Sequence, residues 1–110
     1  MIKVSILYPN GDGIEFDAGY YRQQHLSLVQ GKLGTALKGC SVDLGIGGGR
    51  PEAEPPFVAA GHLYFESVAA FQAAFGPHAK AIEADIANYT NARPMVQISE
   101  VLEAREFDHA

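Results

Sequence analysis

Residues 57–66 read FVAAGHLYFE, and this stretch carries apolar side chains on both of its sides. Side chains alternate along a β-strand, so Leu63 and Phe65 point to one side while Val58 and Tyr64 point to the other. A strand that is apolar on both sides is covered on both sides in the folded protein. The sequence therefore predicts a strand within a sheet that needs two covering layers.

The flanking sequence supplies three more strands and two helical regions. Alternating residues predict strands at 2–9, 37–46 and 95–102, and helical spacing predicts helices at 17–33 and from Ser67 onward, with a break near Gly76-Pro77. The order β-α-β-β-α-β is that of an α+β ferredoxin-like sandwich, a four-stranded antiparallel sheet with both helices on one face. We expect a single domain over residues 1–110, with an ordered core at 2–102 and a polar tail at 103–110.

The two predicted helices leave the second face of the sheet uncovered. For a chain of 110 residues, a second copy joined by a two-fold axis is the simplest cover for that face. The alternative is an apolar face that stays exposed, as on many monomers. The sequence therefore favours a homodimer.

The charge balance and the cysteine content argue against several classes of function. The chain has 8 Lys and Arg against 13 Asp and Glu, a formal charge of −5, and no stretch clusters basic residues as a nucleic-acid site requires. Its apolar runs fall short of the ~18 residues of a membrane span. The single cysteine, Cys40, cannot form an internal disulfide, which favours a reducing cytoplasm. We expect no nucleic-acid partner and no membrane partner.

His25 is the first candidate for chemistry. At helical spacing it lies near the middle of an apolar arc that includes Tyr21 and Leu28. One interpretation is a core histidine whose ring nitrogens are satisfied by a backbone carbonyl or a tyrosine. The other is a titratable imidazole at a cavity wall that exchanges a proton with an apolar ligand. Tyr21 precedes His25 by one turn, so both side chains could reach the same ligand.

A second candidate pair lies on the third strand, where His62 and Tyr64 share one side. Alternation alone does not decide whether this side faces the helices or the predicted dimer partner. On the helix side the pair could face His25 across a cavity; on the other side His62 would pack at an interface. Asp43 shows no partner in the sequence, and the periodicity of the last helix places Asp85 on its outward side.

Metal and cofactor signatures are weak throughout. The histidines show no ligand spacing, and Cys40 stands alone; the four positions are His25, His62, His78 and His109. The glycines at 45–49 lead into a proline-rich connection and not into a helix that could hold a phosphate. We expect no metal and no cofactor, and a flexible connection at 47–56 that could close as a lid.

Taken together, several pieces of the chain resemble the EthD family. The likeness extends over roughly residues 2–102 and is carried by the following segments: KVSILYPN at 3–10, FDAGYYRQQH at 16–25, LKG at 37–39, GHLYF at 61–65, AFQAAFGPH at 70–78, DI at 85–86, NYTN at 88–91 and QISEV at 97–101. EthD proteins resemble the dimeric α/β-barrel superfamily. The resemblance implies two ferredoxin-like subunits that pair their sheets into a barrel, each able to hold a small ligand between helices and sheet.

The resemblance also implies candidate roles. His25 and Tyr21 match the family's Tyr/Phe-x-x-x-His pattern, and His62 and Tyr64 match a more variable strand position. Similar proteins act as monooxygenases, isomerases, dehydratases or cyclases, several of them without a cofactor. The expected function is cofactor-free acid–base catalysis by His25 on a small apolar, cyclic or aromatic metabolite of a catabolic or secondary-metabolite pathway, with Tyr21, Leu28, His62 and Tyr64 as ligand contacts. The alternative is a non-catalytic ligand-binding or accessory protein of such a pathway.

Overall fold

A computed structural model of the chain describes residues 1–107. Its four strands are β1 (Ile2–Pro9), β2 (Gly39–Leu44), β3 (Phe57–Phe65) and β4 (Met95–Glu100). They form one antiparallel sheet in the order β2-β3-β1-β4. The predicted ferredoxin-like α+β fold is therefore confirmed. The second and fourth strands are shorter than predicted, and the last residues of the predicted tail, 108–110, lie outside the described part of the chain.

Two helical regions cover one face of the sheet. The first consists of α1 (Ala18–Tyr20), a π-helical turn (Tyr21–His25), α2 (Leu26–Leu33) and a 3-10 turn (Gly34–Ala36). The second consists of α3 (Val68–Phe75), a 3-10 turn (Gly76–His78), α4 (Ala79–Asp85) and a further 3-10 turn (Ile86–Asn88). The predicted break near Gly76-Pro77 is thus the 3-10 turn between α3 and α4. No helix in residues 1–107 has both the length and the apolar character needed to cross a membrane.

The start of the first helical region is fixed by capping and by one unusual turn. The Asp17 carboxylate accepts a hydrogen bond from the Tyr20 backbone N–H at 3.0 Å, as expected of an N-cap. In the π-helical turn the Leu26 N–H donates to the Tyr21 carbonyl, five residues back rather than four. The extra residue is taken up within this turn, so Leu26 has the position relative to Tyr21 that the fourth following residue has in an α-helix.

The covered face holds two apolar clusters side by side. One is built around Val4 and Phe65 of the sheet and Val29 of α2. The other is built around aromatic rings and includes Tyr8 and Tyr89. Phe65 and Tyr8 are 0% and 1% exposed, so each cluster contains a fully buried aromatic ring from the sheet. The space between the two clusters is where a ligand-sized cavity lies.

The other face of the sheet carries no helix in the described part of the chain. The register pairs Ser5 with His62 and Lys3 with Tyr64, and all four side chains point away from the core because Val4 and Leu63, the residues next to them, point into it. β3 places Leu63 and Phe65 toward the core and Ala60 and Tyr64 away from it, so it carries apolar side chains on both sides, as the sequence predicted.

Candidate functional site

A cavity of about 330 Å³ lies between the helices and the sheet. Its walls are mostly aliphatic and aromatic, with Ile6 and Leu63 from the sheet and Val29, Ile82 and Ile86 from the helices. Val96 of the edge strand β4 also lines it and is 61% exposed, so the cavity opens toward this edge. A volume of this size holds a small organic molecule. Polar groups in the lining are few, and they include Tyr8, Tyr21 and His25.

His25 is held by a carboxylate from the second helical region. Its Nδ1 lies 2.8 Å from Oδ2 of Asp85, and the two side chains are 6% and 12% exposed. The π-helical turn ends at His25 and α4 ends at Asp85, so both groups sit at the ends of rigid elements. A buried imidazole needs such a partner. Asp85 is therefore a positioning residue for the ring.

Asp85 remains ionised because it accepts hydrogen bonds from several directions. Tyr20 donates to Oδ1 at 2.6 Å, and Asn88 donates to the same oxygen at 3.0 Å. Burial by itself would raise the pKa of the carboxyl, but the hydrogen bonds from Tyr20, Asn88 and His25 outweigh it and lower the pKa below its usual value. The bond to Asp85 also raises the pKa of the Tyr20 hydroxyl.

The charge on Asp85 decides which nitrogen of His25 carries the proton. An ionised carboxylate only accepts hydrogen bonds, so Nδ1 must donate. In the neutral imidazole the lone pair then lies on Nε2. The Tyr89 hydroxyl lies 3.5 Å from Nε2, the long limit for a hydrogen bond. Nε2 is thus a weakly paired acceptor on a side chain that lines the cavity.

Behind the cavity wall, tyrosine hydroxyls form a connected group. The hydroxyls of Tyr8 and Tyr89 are 2.7 Å apart. Burial raises the pKa of Tyr8, of Tyr21 and of Tyr89, so all three keep their protons at neutral pH and remain hydrogen-bond donors. The Tyr21 hydroxyl is seated against Gly61, where the absence of a side chain leaves room for it.

The structure brings together some of the residues predicted for the site and separates others. Tyr21 and His25 both line the cavity. Leu28 is not in its lining, and Leu26 stands there instead, because the π-helical turn adds a residue to the turn before it. His62 and Tyr64 lie on the opposite face of the sheet and do not reach this cavity.

The structure gives two acids contacts that the sequence did not predict. Asp85 was expected on the outward side of its helix, but it turns inward to His25 because a buried imidazole and two further donors surround it. Asp43, for which no partner was visible, lies 3.3 Å from Nε2 of His62, whose Nδ1 lies 2.9 Å from the Ser5 hydroxyl. No local signal in the sequence marked Asp85, because helical spacing groups it with Lys80 and Glu83 on the outward side.

The glycine-rich connection lies away from the cavity. Asn10 holds it by donating to the Pro55 carbonyl at 3.0 Å, and no residue of 47–56 is among the described residues that line the cavity. Nor do residues 1–107 contain a cluster of three or more His, Cys, Asp or Glu side chains arranged to hold a metal ion. His109 lies outside that range.

Comparison with known proteins agrees with this architecture. The family model described as EthD domain matches residues 15–93. A solved EthD-like protein from Ralstonia eutropha JMP134 is 40% identical, with 94% of each chain covered and a TM-score of 0.89. An EthD family protein from Bacillus halodurans C-125 is 20% identical over 93% of this chain and 99% of its own, with a TM-score of 0.69.

HapK from Hahella chejuensis shares the fold at 14% identity and a TM-score of 0.58, with 99% of this chain and 100% of its own covered. A search of curated proteins returned no match. The family model spans well over half of the chain, and a solved relative exceeds 30% identity across nearly all of it. The chain therefore belongs to the EthD family.

Proposed function

We propose that this protein binds a small apolar, cyclic or aromatic metabolite in the cavity between helices and sheet, and that His25 acts on it as a cofactor-free general base and acid. One observation carries the proposal. Asp85 fixes Nδ1 of His25 as the donor at 2.8 Å, which leaves the lone pair on Nε2 of a residue in the cavity wall. A base needs a lone pair that is no more than weakly engaged and lies within reach of the ligand, and the Tyr89 contact to Nε2 is at the long limit of 3.5 Å.

The cavity lining supports an uncharged ligand. No Lys or Arg is among the described residues of the lining, so no permanently charged cation there would pair with a carboxylate or a phosphate. Glu83 lies at the exposed side of the lining and repels anions. Contact between an apolar ring and the aliphatic walls of the cavity would instead lower the free energy of binding.

Proton transfer suits this site because it requires nothing beyond the side chains present. His25 at Nε2 removes a proton from carbon next to a carbonyl group, and the imidazolium that forms is stabilised by the Asp85 carboxylate. The same proton can then return to the ligand. Isomerisation and dehydration are reactions of this type.

The test is deuterium uptake by cyclic ketones in D2O, followed by mass spectrometry. We expect the protein to accelerate exchange at the carbon next to the carbonyl, and His25→Asn to lower the rate about 10²–10⁴-fold while the fold is kept. His78→Asn is the matched control, since His78 lies in the 3-10 turn between α3 and α4 and not in the lining. A folded His25→Asn variant with full activity would refute the proposal. Binding of the ketone with no exchange would support the accessory, non-catalytic alternative.

We also propose that two copies pair through the uncovered sheet face. That face combines the apolar side chains of Leu7 and Met95, of which Met95 is 58% exposed, with the half-buried polar side chain of His62. When two copies bury this face against each other, β3 is covered on both sides, as its apolar side chains require. Sedimentation velocity at several concentrations tests it. We expect a dimer for the natural chain and a monomer for Ala60→Glu, which places a charge in the middle of the face; a natural chain that stays monomeric would refute the pairing.

A further inference from the structure

Tyr89 connects two groups of the cavity wall without reaching the cavity itself. His25 and Tyr8 both line the cavity, whereas Tyr89 is absent from the lining and is 3% exposed. Its hydroxyl lies 2.7 Å from that of Tyr8 and 3.5 Å from Nε2 of His25. These two contacts make a path from one cavity-lining group to another through a buried hydroxyl.

When His25 is neutral, the hydrogen bonds along this path all run in one direction, from Tyr8 through Tyr89 to His25. Nε2 can only accept, so Tyr89 donates to it. The Tyr89 hydroxyl has a single hydrogen, so its oxygen accepts from Tyr8. When Nε2 gains a proton it becomes a donor, and both hydroxyls must turn. Tyr89 then donates to Tyr8, and the hydrogen of Tyr8 points to the ligand.

We propose that Tyr8, Tyr89 and His25 form a proton relay, through which a proton taken from one atom of the ligand is returned at another. This inference rests on the proposed function, because it takes His25 to be the base. Tyr8 is the group that meets the ligand, and Tyr89 is a positioning residue that acts through its two neighbours.

The relay assigns a substrate class, uncharged carbonyl compounds with a double bond one carbon removed from conjugation. His25 removes a proton from the carbon between the carbonyl and the double bond. The C–H electron pair forms a new C=C bond, and the carbonyl π electrons move onto oxygen to give a dienolate. The charge stays within the ligand and the His25–Asp85 pair.

Reprotonation restores every group. Tyr8 gives its proton to the far carbon of the dienolate, the oxygen electrons re-form the C=O bond, and a conjugated double bond remains. Tyr89 passes its proton to Tyr8, and Nε2 of His25 passes its proton to Tyr89. No oxidant or reductant is needed. The hydroxyls end in the direction from which they began, so the path is ready for another turnover.

The buried position of the two phenols fits this role. Burial opposes the tyrosinate form, and the pKa of both Tyr8 and Tyr89 is raised. The protons must therefore move together along the path, with no ion left on either ring. The long contact at His25 is compatible with this, since hydrogen bonds at catalytic sites often shorten only when ligand binds.

The first test uses 3-cyclohexen-1-one as the probe and measures two rates. One is deuterium exchange next to the carbonyl, and the other is formation of the conjugated 2-cyclohexen-1-one. We expect Tyr89→Phe to keep exchange within about threefold and to lose conjugation about 10²-fold, the usual contribution of a general acid. Tyr64→Phe, which removes a hydroxyl from the opposite sheet face, should change neither rate.

The two rates separate the relay from the proposed function. Conjugation by Tyr89→Phe at the natural rate would overturn the relay while leaving His25 as the base. Absence of both reactions in the natural protein would overturn the base role of His25 toward ketones and the relay with it. Equal loss of both rates in Tyr89→Phe would show that Tyr89 only supports the ring of His25, and would also overturn the relay.

A second measurement needs no turnover. The 15N NMR signal of Nε2 in His25 reports what donates to it. We expect Tyr89→Phe to move this signal toward the value of an unpaired imidazole nitrogen. Tyr8→Phe should move it the same way by a smaller amount, because Tyr8 polarises the Tyr89 hydroxyl. An unchanged Nε2 signal in Tyr8→Phe would contradict the coupling.

Discussion

The Asp85→Asn substitution tests the hydrogen bonds that hold His25 in place. Asp85 is 12% exposed and accepts from three side chains, at 2.6 Å from Tyr20, 2.8 Å from His25 and 3.0 Å from Asn88. A hydrogen bond to a charged group contributes about 1.5–3 kcal/mol, and contributions to one group do not add fully. The amide keeps one acceptor oxygen but brings a donor to a site already full of donors. We expect a net loss of about 2–3 kcal/mol.

Thermal unfolding followed by circular dichroism measures this loss. A domain of this length loses about 4 °C of Tm per kcal/mol, so Tm should fall by about 8–12 °C. Glu83→Gln is the matched control because it removes the same charge from an exposed position on the same helix. We expect it to change stability by less than about 0.5 kcal/mol.

The pH dependence gives an independent check. The pKa of Asp85 is lowered in the folded protein from its usual 3.8. The unfolded chain therefore takes up the proton first as pH falls, so this stabilisation is complete above 3.8 and is lost as pH drops through the folded value. The difference between the natural protein and Asp85→Asn should be full at neutral pH and shrink in acid. A constant difference, or a Tm equal to that of Glu83→Gln, would refute the assignment.

Two further substitutions test local packing and capping. Gly61→Ala places a Cβ in steric conflict with the Tyr21 hydroxyl, so we expect a loss of about 1–3 kcal/mol, measured by urea unfolding. Gly31→Ala is the control in α2, where nothing lies within 4 Å of the new Cβ; it should stabilise by about 0.5–1 kcal/mol, and equal effects from the two variants would contradict the close contact. Asp17→Ala removes the N-cap of the first helical region and should cost about 1 kcal/mol in the same assay; an unchanged midpoint would show that the cap contributes nothing.

The fold was predictable because its signals are local and repeated. The alternation of 57–66 and the cap at Asp17 each depend on neighbours in the chain, and the structure contains both as expected. Helical spacing also placed His25 among apolar residues, and the residue is 5% exposed. Patterns of this kind report which side of an element is buried.

The partner of His25 could not be read in the same way. A prediction from helical periodicity assigns a carboxylate to the exposed side of its helix. Asp85 faces inward only because it pairs with the buried imidazole of His25, 60 positions away. Whether His62 faces the helices likewise depends on which side of the sheet the helices cover, and the alternation of residues along β3 does not contain that information. The π-helical turn has no sequence signature among 21–25, yet it selects Leu26 over Leu28 for the cavity.

The π-helical turn makes the first helical region sensitive to the number of its residues, although its composition gives no sign of this. A π-helical turn is an α-helix that has accommodated one additional residue. Gln23 and Gln24 are both exposed, so exchanging either for another polar residue should be mild. Deleting one of them would restore regular α geometry, because the Leu26 N–H would still donate to the Tyr21 carbonyl, then four residues back. Val29 and Leu33 would keep their places in the core, whereas a further residue inserted in this turn would rotate both of them by about 100° and out of the core.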